Sequence, residues 1–488
     1  MERNNSALGL RSEISVIAIA SVVIGALLLA LLFFESTGAL LGIGFILGLF
    51  YLITISYYPK FGFYSFYTFT FWMFSLNLYT GLDQTGVLAD VLLLVNVTVL
   101  SIVQFLRGSL EKSIWSYKSL WVWFAWLILS IGINIANFQG VDWTSFIYGI
   151  RRFHLNPVGF VLLNALVIRE KKDFYQFFKI TAIFLGLAFL VGYRQYYFGF
   201  NSYENALLQT EFGKTHLIQG TVRYWGALSD SANYGIVMSF YSILFIAIGI
   251  VYKRKRIQLL CFLFSILSLH QVLISGTRTA YATFALGLLI FIVFYTKSYT
   301  RVFSMLGGAM TYGLLRFTWI GDNLGIIRRL RTSFNPDDAS LIIRLQNRVV
   351  LENWLVTNPL GGGIGGALFD RQFRPNSFIA TFPPDGLYTL IRAELGYIGE
   401  YSYDIAVALV IVYMVVKLRK TNPYGERRMW MVTILAITLG ARLAEYAQFT
   451  TYQFPTVNLL FFLMVAFEKW ERWEDRTILE EKDTPPLM

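Results

Sequence analysis

The chain of 488 residues contains one cysteine and three histidines, and Asp, Glu, Lys and Arg together make up only 15% of it. A lone Cys261 excludes an intramolecular disulfide framework. There is no cysteine cluster, no His-Glu-x-x-His, no outward Asp-x-Asp pair and no other metal-ligand spacing, so metal-dependent sugar transfer has no support. A Gly-Lys-Ser/Thr ending of the nucleotide P-loop kind is also missing, as are a nucleotide-sugar domain and an internal repeat. So little charge over so long a chain excludes an ordinary soluble domain.

What is present is hydrophobic. Apolar residues make up 56% and aromatics 17% of the chain, and the mean hydropathy is +0.55. These values predict an all-α polytopic membrane protein. A net charge of +11 would suggest nucleic acid in a soluble protein, but here Lys and Arg cluster in short loops, as they do on cytoplasmic flanks. The charge therefore reads as topology, and no nucleic-acid partner is expected.

Apolar segments fall near 14–34, 39–58, 62–80, 87–106, 119–137, 153–168, 177–198, 232–251, 257–275, 279–296, 302–316, 385–416, 429–447 and 454–468. They give about 12 to 14 transmembrane helices. The first lacks a small-residue cleavage site and is taken as a retained helix. The segment 385–416 exceeds the roughly 20 residues a crossing needs, so it is either tilted or a short entry element plus a span. With the N-terminus in the cytoplasm, Lys253-Arg254-Lys255-Arg256, Lys417 to Lys420 and the C-terminal tail all fall inside. Loops 138–152, 199–231 and 317–384 then face outward. The chain divides into a transmembrane bundle (1–316), an extracytoplasmic loop with short helices (317–384), C-terminal transmembrane helices (385–468) and a cytoplasmic tail (469–488).

The outer loop Phe317 to Pro384 carries Arg328, Arg329, Arg331, Arg344, Arg348, Arg371 and Arg374 but no lysine. Guanidinium groups keep their charge and match phosphate oxygens two at a time, which points to an anionic ligand. Asn335-Pro336-Asp337-Asp338 precedes an amphipathic helix from Leu341 to Leu351 that puts Arg344 and Arg348 on one face. Two uses stand for that face: phosphate binding, or an ion pair of Arg348 with Glu352. Gly361 to Gly366 then reads either as a flexible turn or as a run whose N–H groups approach a phosphate.

Further candidates lie at the same membrane level. Ser275-Gly276-Thr277-Arg278-Thr279 makes a tight outer hairpin whose arginine either snorkels to headgroups or points into a polar cavity. Arg223, with Asp230, opens one span, and Arg151, Arg152 and His154 open another. Several guanidinium groups at headgroup depth suit a lipid pyrophosphate. Asp385 begins a span and reads as a helix cap or as a general base, with Glu394 deeper along the same helix as a second catalytic candidate. Arg392 beside it is either functional or paired with an acid. His270 reads as a core histidine, and His216 lies in an outer loop.

Taken together, four stretches resemble the O-antigen ligase and O-antigen polymerase superfamily of bacterial membrane glycosyltransferases. They are Arg223 to Asn233, Ser275-Gly276-Thr277-Arg278, Asn358-Pro359-Leu360-Gly361-Gly362-Gly363-Ile364-Gly365, and Asp385-Gly386 followed by Gly396-Tyr397-Ile398-Gly399. The resemblance covers roughly 220–400. It implies a C-type glycosyltransferase-like fold in the bacterial plasma membrane, with the site facing the periplasm or exterior and no cofactor or metal. The implied partners are an isoprenoid-pyrophosphate-linked oligosaccharide, a glycan or lipid acceptor, and membrane lipids. Arg223 and Arg278, assisted by Arg344 and Arg348, would hold the donor pyrophosphate, and Asp385 would deprotonate the acceptor. Ligases of the superfamily typically carry His followed by Asn, Ser or Gln where this chain has Asp385-Gly386. That departure favours a polymerase of O-antigen or exopolysaccharide repeats over a ligase acting on lipid A core or protein. A transporter of lipid-linked glycans is a further alternative, against which stands the concentration of irregular sequence in one loop on one side, and a pseudoenzyme or assembly subunit, which the missing histidine permits, is a third.

Overall fold

The computed structural model describes residues 46–82, 85–108, 112–137, 140–218, 221–323, 325–332, 339–421, 425–449 and 453–483. The predicted first span and the capping sequence Asn335 to Asp338 lie outside these residues. In chain order the helices are α1 (Ile46–Tyr57), α2 (Pro59–Thr80), α3 (Thr85–Leu106), α4 (Lys118–Ala136), α5 (Trp143–Ile150), α6 (Asn156–Val167), α7 (Lys171–Phe198), α8 (Ser202–Leu208) and α9 (Glu211–His216). They continue with α10 (Ser231–Val251), α11 (Lys255–Ile274), α12 (Arg278–Tyr295), α13 (Ser298–Phe317), α14 (Gly325–Thr332), α15 (Ala339–Leu355), α16 (Phe378–Thr381), α17 (Leu387–Arg419), α18 (Glu426–Glu445) and α19 (Thr456–Asp483). The β-structure among the described residues is a two-residue antiparallel ladder that pairs Leu217–Ile218 with Thr221–Val222.

Seven helices, α3, α4, α7, α10, α11, α12 and α17, are long and apolar enough to cross a membrane. The protein is an α-helical membrane protein. The other predicted spans among the described residues fall on shorter or more polar helices. The segment expected near 153–168 is a helix of 12 residues, α6, entered through a π-helical turn, Arg151–Leu155.

The contacts divide the chain into two units. Of the described residues the smaller contains 46–65 and 95–108, and inside it Asn96 Nδ2 donates to Tyr51 Oη at 2.7 Å. The larger unit holds every candidate site residue and is built around α10. That helix is apolar on all sides and buried on nearly all of them, as a helix at the centre of a bundle must be. It packs on α11, α12 and α18, while α17 packs on α4 and α18. Asp230 caps α10 by accepting the Asn233 N–H at 2.8 Å, which meets one of the four donors a helix start leaves open.

Helix α17 resolves the long predicted segment as a short entry helix followed by a span. The two meet at Gly396, where φ is +64°. A Cβ there would overlap the Pro359 carbonyl. The left-handed conformation alone costs other residues about 1–3 kcal/mol. Gly396→Ala is therefore expected to lower stability by at least about 2 kcal/mol. Thermal unfolding of both proteins in one detergent checks this, and unchanged midpoints would contradict it.

Candidate functional site

The Ser275–Arg278 hairpin joins α11 to α12 as expected, and Ser275 and Thr277 are buried in it. Thr277 Oγ1 donates to the Ser231 carbonyl at 2.9 Å and accepts from Arg223 Nη2 at 2.8 Å. The Arg223 guanidinium also donates to the Thr215 carbonyl at 3.0 Å. One hydroxyl thus orients Arg223 beside the residue that precedes Arg278 and ties both to the first turn of α10.

His216 supports this corner from behind. Its Nδ1 hydrogen-bonds the Phe212 carbonyl at 2.9 Å, and its Nε2 accepts the Ser231 N–H at 3.1 Å. Accepting at Nε2 requires the neutral ring. Burial, reinforced by Arg223 and opposed by the Phe212 carbonyl and Asp230, pushes its pKa down to about 4. On acidification the unfolded chain takes up this proton near pH 6.5, whereas the folded chain resists until about pH 4. Stability contributed here is complete above that upper value and falls through the window, by up to the order of 3 kcal/mol. Thermal unfolding between about pH 8 and pH 4 should show a steeper acid loss for the wild type than for His216→Gln. Parallel curves would contradict this.

Beside the hairpin lies a groove of about 610 Å³ between α11, α12, α13, α14 and α18. Leu269, Leu273, Phe284, Leu315, Leu330 and Leu443 give it apolar walls, Tyr446 and Ala447 close one side, and Arg278 is the one charged residue among its described lining residues. A guanidinium at the edge of an apolar channel is the arrangement an amphiphile with an anionic head requires.

Asp385 approaches the same corner by another route. Gly386 sits so close to the end of α18 that a Cβ would come within 2.7 Å of the Glu445 carbonyl. The Leu387 N–H donates to the Gln448 carbonyl at 3.3 Å. Asp385 and the Arg278 groove therefore flank one turn, Glu445 to Gln448. The helix-cap reading of Asp385 is not what the structure shows, because the cap position of α17 falls on Gly386, without a side-chain bond. The Asp385 carboxylate instead accepts from Asn347 Nδ2 of α15 at 3.1 Å and is half-buried.

Helix α15 turns Arg344, Asn347 and Arg348 toward the protein, half-buried, and leaves Ile343, Leu345 and Val349 exposed. The expected Arg348–Glu352 pair does not form among the described residues. Glu352 pairs with Arg392 at 2.9 Å, and Arg392 also holds Glu400, with its Nη2 2.8 Å from Glu400 Oε1. Arg392 thus fastens the loop helix to α17. Other loop arginines are likewise committed locally: Arg374 pairs with Asp370, and Arg331 lies 3.2 Å from Asp322. Arg331 and Arg374 therefore serve separate local contacts.

The glycine run is a packing insert, not a phosphate cradle. The Gly362 and Gly363 N–H groups donate to the Ala393 and Glu394 carbonyls at 2.9 and 2.8 Å, and the Ile364 N–H donates to Asn134 Oδ1 at 2.7 Å. At Gly365, with φ of +83°, a Cβ would overlap the Ser145 carbonyl of α5. Glu394 is 2% exposed and accepts the Ala367 N–H at 3.3 Å. It is turned into this insert, away from the Arg278 groove, and reads as a positioning residue for the run.

Arg151 and Arg152 lie together in a different cavity, of about 200 Å³, beside Asp90, Asn156, Ser229 and Gln453. Their neighbour His154 stacks on Trp126 with centroids 5.3 Å apart and hydrogen-bonds Ser130 at 2.9 Å, so it belongs to the core. His270 packs by Tyr193. Three polar residues escaped the sequence reading. Asp90 pairs with Arg151 at 2.8 Å, and Arg442 pairs with a fully buried Glu445 at 2.6 Å, with Tyr403 Oη 3.2 Å from that carboxylate. The signal for Arg442 and Glu445 was available, since two ionisable groups three residues apart inside an apolar segment default to function or pairing. Compared with known proteins, the chain matches no family model and no curated protein.

Proposed function

We propose that the protein is a membrane glycosyltransferase that takes a glycan from an isoprenoid-pyrophosphate lipid and passes it to an acceptor sugar hydroxyl, extending a polysaccharide at the outer face of a bacterial plasma membrane. The observation that carries this reading is the apolar groove with Arg278 on its lining, next to the Arg223–Thr277 hydrogen bond. An isoprenoid chain suits the apolar walls and a pyrophosphate suits the guanidinium groups. Asp385 flanks the same turn and carries no capping duty.

In the reaction the bond between the anomeric carbon and the pyrophosphate oxygen breaks, and its electron pair leaves with the pyrophosphate. Arg278 and Arg223 neutralise the charge that develops there. The acceptor hydroxyl oxygen forms the new bond to the anomeric carbon while Asp385 takes its proton. The order and spacing of the motifs resembling O-antigen polymerases add to this reading. So does Asp385-Gly386 in place of the His followed by Asn, Ser or Gln that is typical of the ligases.

Incubating the purified protein with one synthetic lipid-linked repeat unit tests it. A ladder of lengthening products is expected. Turnover only on adding a lipid A core or protein acceptor would make the protein a ligase. Flipping in vesicles without turnover would make it a transporter.

A further inference from the structure

The cavity holding Arg151 and Arg152 is separate from the Arg278 groove, and its charge is incompletely balanced. Among the described lining residues Asp90 is the one acid, and both carboxylate oxygens are engaged: Oδ2 lies 2.8 Å from Arg151 Nε, and Oδ1 accepts from Asn156 Nδ2 at 2.6 Å. Arg152 is half-buried and makes no hydrogen bond or direct ion pair with a described residue. It stands over the Phe153 ring, 5.4 Å from its centroid. Among the described lining residues two guanidinium groups face one carboxylate, an excess of one positive charge. The π-helical turn Arg151–Leu155 contributes both arginines to it, and such turns often mark functional positions.

The rest of the lining suits a sugar ring. Gln453 adds an amide, the Ser229 hydroxyl is shared with Asp230 and Asn233, and Phe74 and Phe454 add aromatic lining. A volume of about 200 Å³ leaves room for a small polar ring. We infer that this cavity binds a single sugar residue bearing one carboxylate, a hexuronic acid, with Arg152 holding the carboxylate. Guanidinium and carboxylate match geometrically as paired N–H···O bonds. The Gln453 amide meets a ring hydroxyl.

Resting on the proposed glycosyl transfer, this places the acceptor. Ser229 lies in the cavity, and two residues later the Ser231 carbonyl accepts from Thr277 on the donor side. The head of α10 therefore stands between the two anionic groups. A uronic acid held here would offer a ring hydroxyl toward the donor, so the growing chain would contain acidic sugars.

Direct binding tests the inference without any turnover. Saturation-transfer NMR on the purified full chain should show glucuronic acid binding at least about tenfold more tightly than glucose or glucuronic acid methyl ester. Arg152→Gln should remove that preference, and Arg278→Gln should keep it. The methyl ester acts on the wild type, so the comparison stands even where a variant fails to fold. Equal binding of acid, ester and glucose by the wild type would overturn the inference, as would an unchanged preference in a folded Arg152→Gln. Uronic acid binding with no transfer from any lipid-linked donor would uphold the site and remove the proposed activity.

Discussion

Arg278→Ala is expected to lower glycan transfer by roughly 10²- to 10³-fold, the cost of losing one preorganised charge partner of a developing anion. The expectation follows from where the residue stands. Charge builds on the leaving pyrophosphate as the anomeric bond weakens, and Arg278 is the charged group on the lining of the groove taken to hold that lipid. Arg223 remains in the variant, held by Thr277 and the Thr215 carbonyl, so a residual rate should persist. Arg278→Lys should recover only part of the loss, since an ammonium cannot present two parallel donors. Size-exclusion profile and thermal midpoint should stay close to wild type. Wild-type turnover in a well-folded Arg278→Ala would remove the residue from the site.

The second large effect is expected at Asp385. Asp385→Asn should reduce transfer by about 10²- to 10⁴-fold, the usual contribution of a positioned general base. An amide is nearly the same size, and its oxygen can still accept from Asn347, so the contact between α15 and the start of α17 survives. The helix itself is indifferent to the change, because its cap is Gly386. Lost activity with retained stability is therefore the signature of a base, whereas a purely structural carboxylate would lose both together. Full activity in Asp385→Asn would hand the proton to another group.

Much of this was legible before the fold. The long apolar runs, the tight Ser275–Arg278 hairpin, the loop helix carrying Arg344 and Arg348, and the two-part nature of the segment 385–416 all follow from local sequence, and the structure contains each. What failed to show was partnership. Arg348 and Glu352 have ideal helical spacing, yet Glu352 turns to Arg392, which sits on another helix and also holds Glu400. Gly361 to Gly366 looks locally like an anion-binding loop, and only the arrival of Ala393, Glu394 and Asn134 reveals its N–H groups as occupied. Asp90 is silent in the sequence because its partners, Arg151 and Asn156, lie more than one helix away. Glu394 drew notice as a buried acid, and burial is real, but its acceptor serves the glycine insert. Periodicity reports which face is apolar, and it carries no information on which polar group crosses to meet another.

The central claim is that the groove beside Arg278 holds an isoprenoid pyrophosphate. Photolabelling tests it most directly, using an isoprenoid pyrophosphate with a diazirine in its tail and peptide mapping by mass spectrometry. Labels are expected on Leu273, Phe284, Leu443 and Tyr446, competed by unlabelled lipid pyrophosphate and strongly reduced in Arg278→Ala. Labels spread over the apolar outer surface, unaffected by competitor or by Arg278→Ala, would contradict the account.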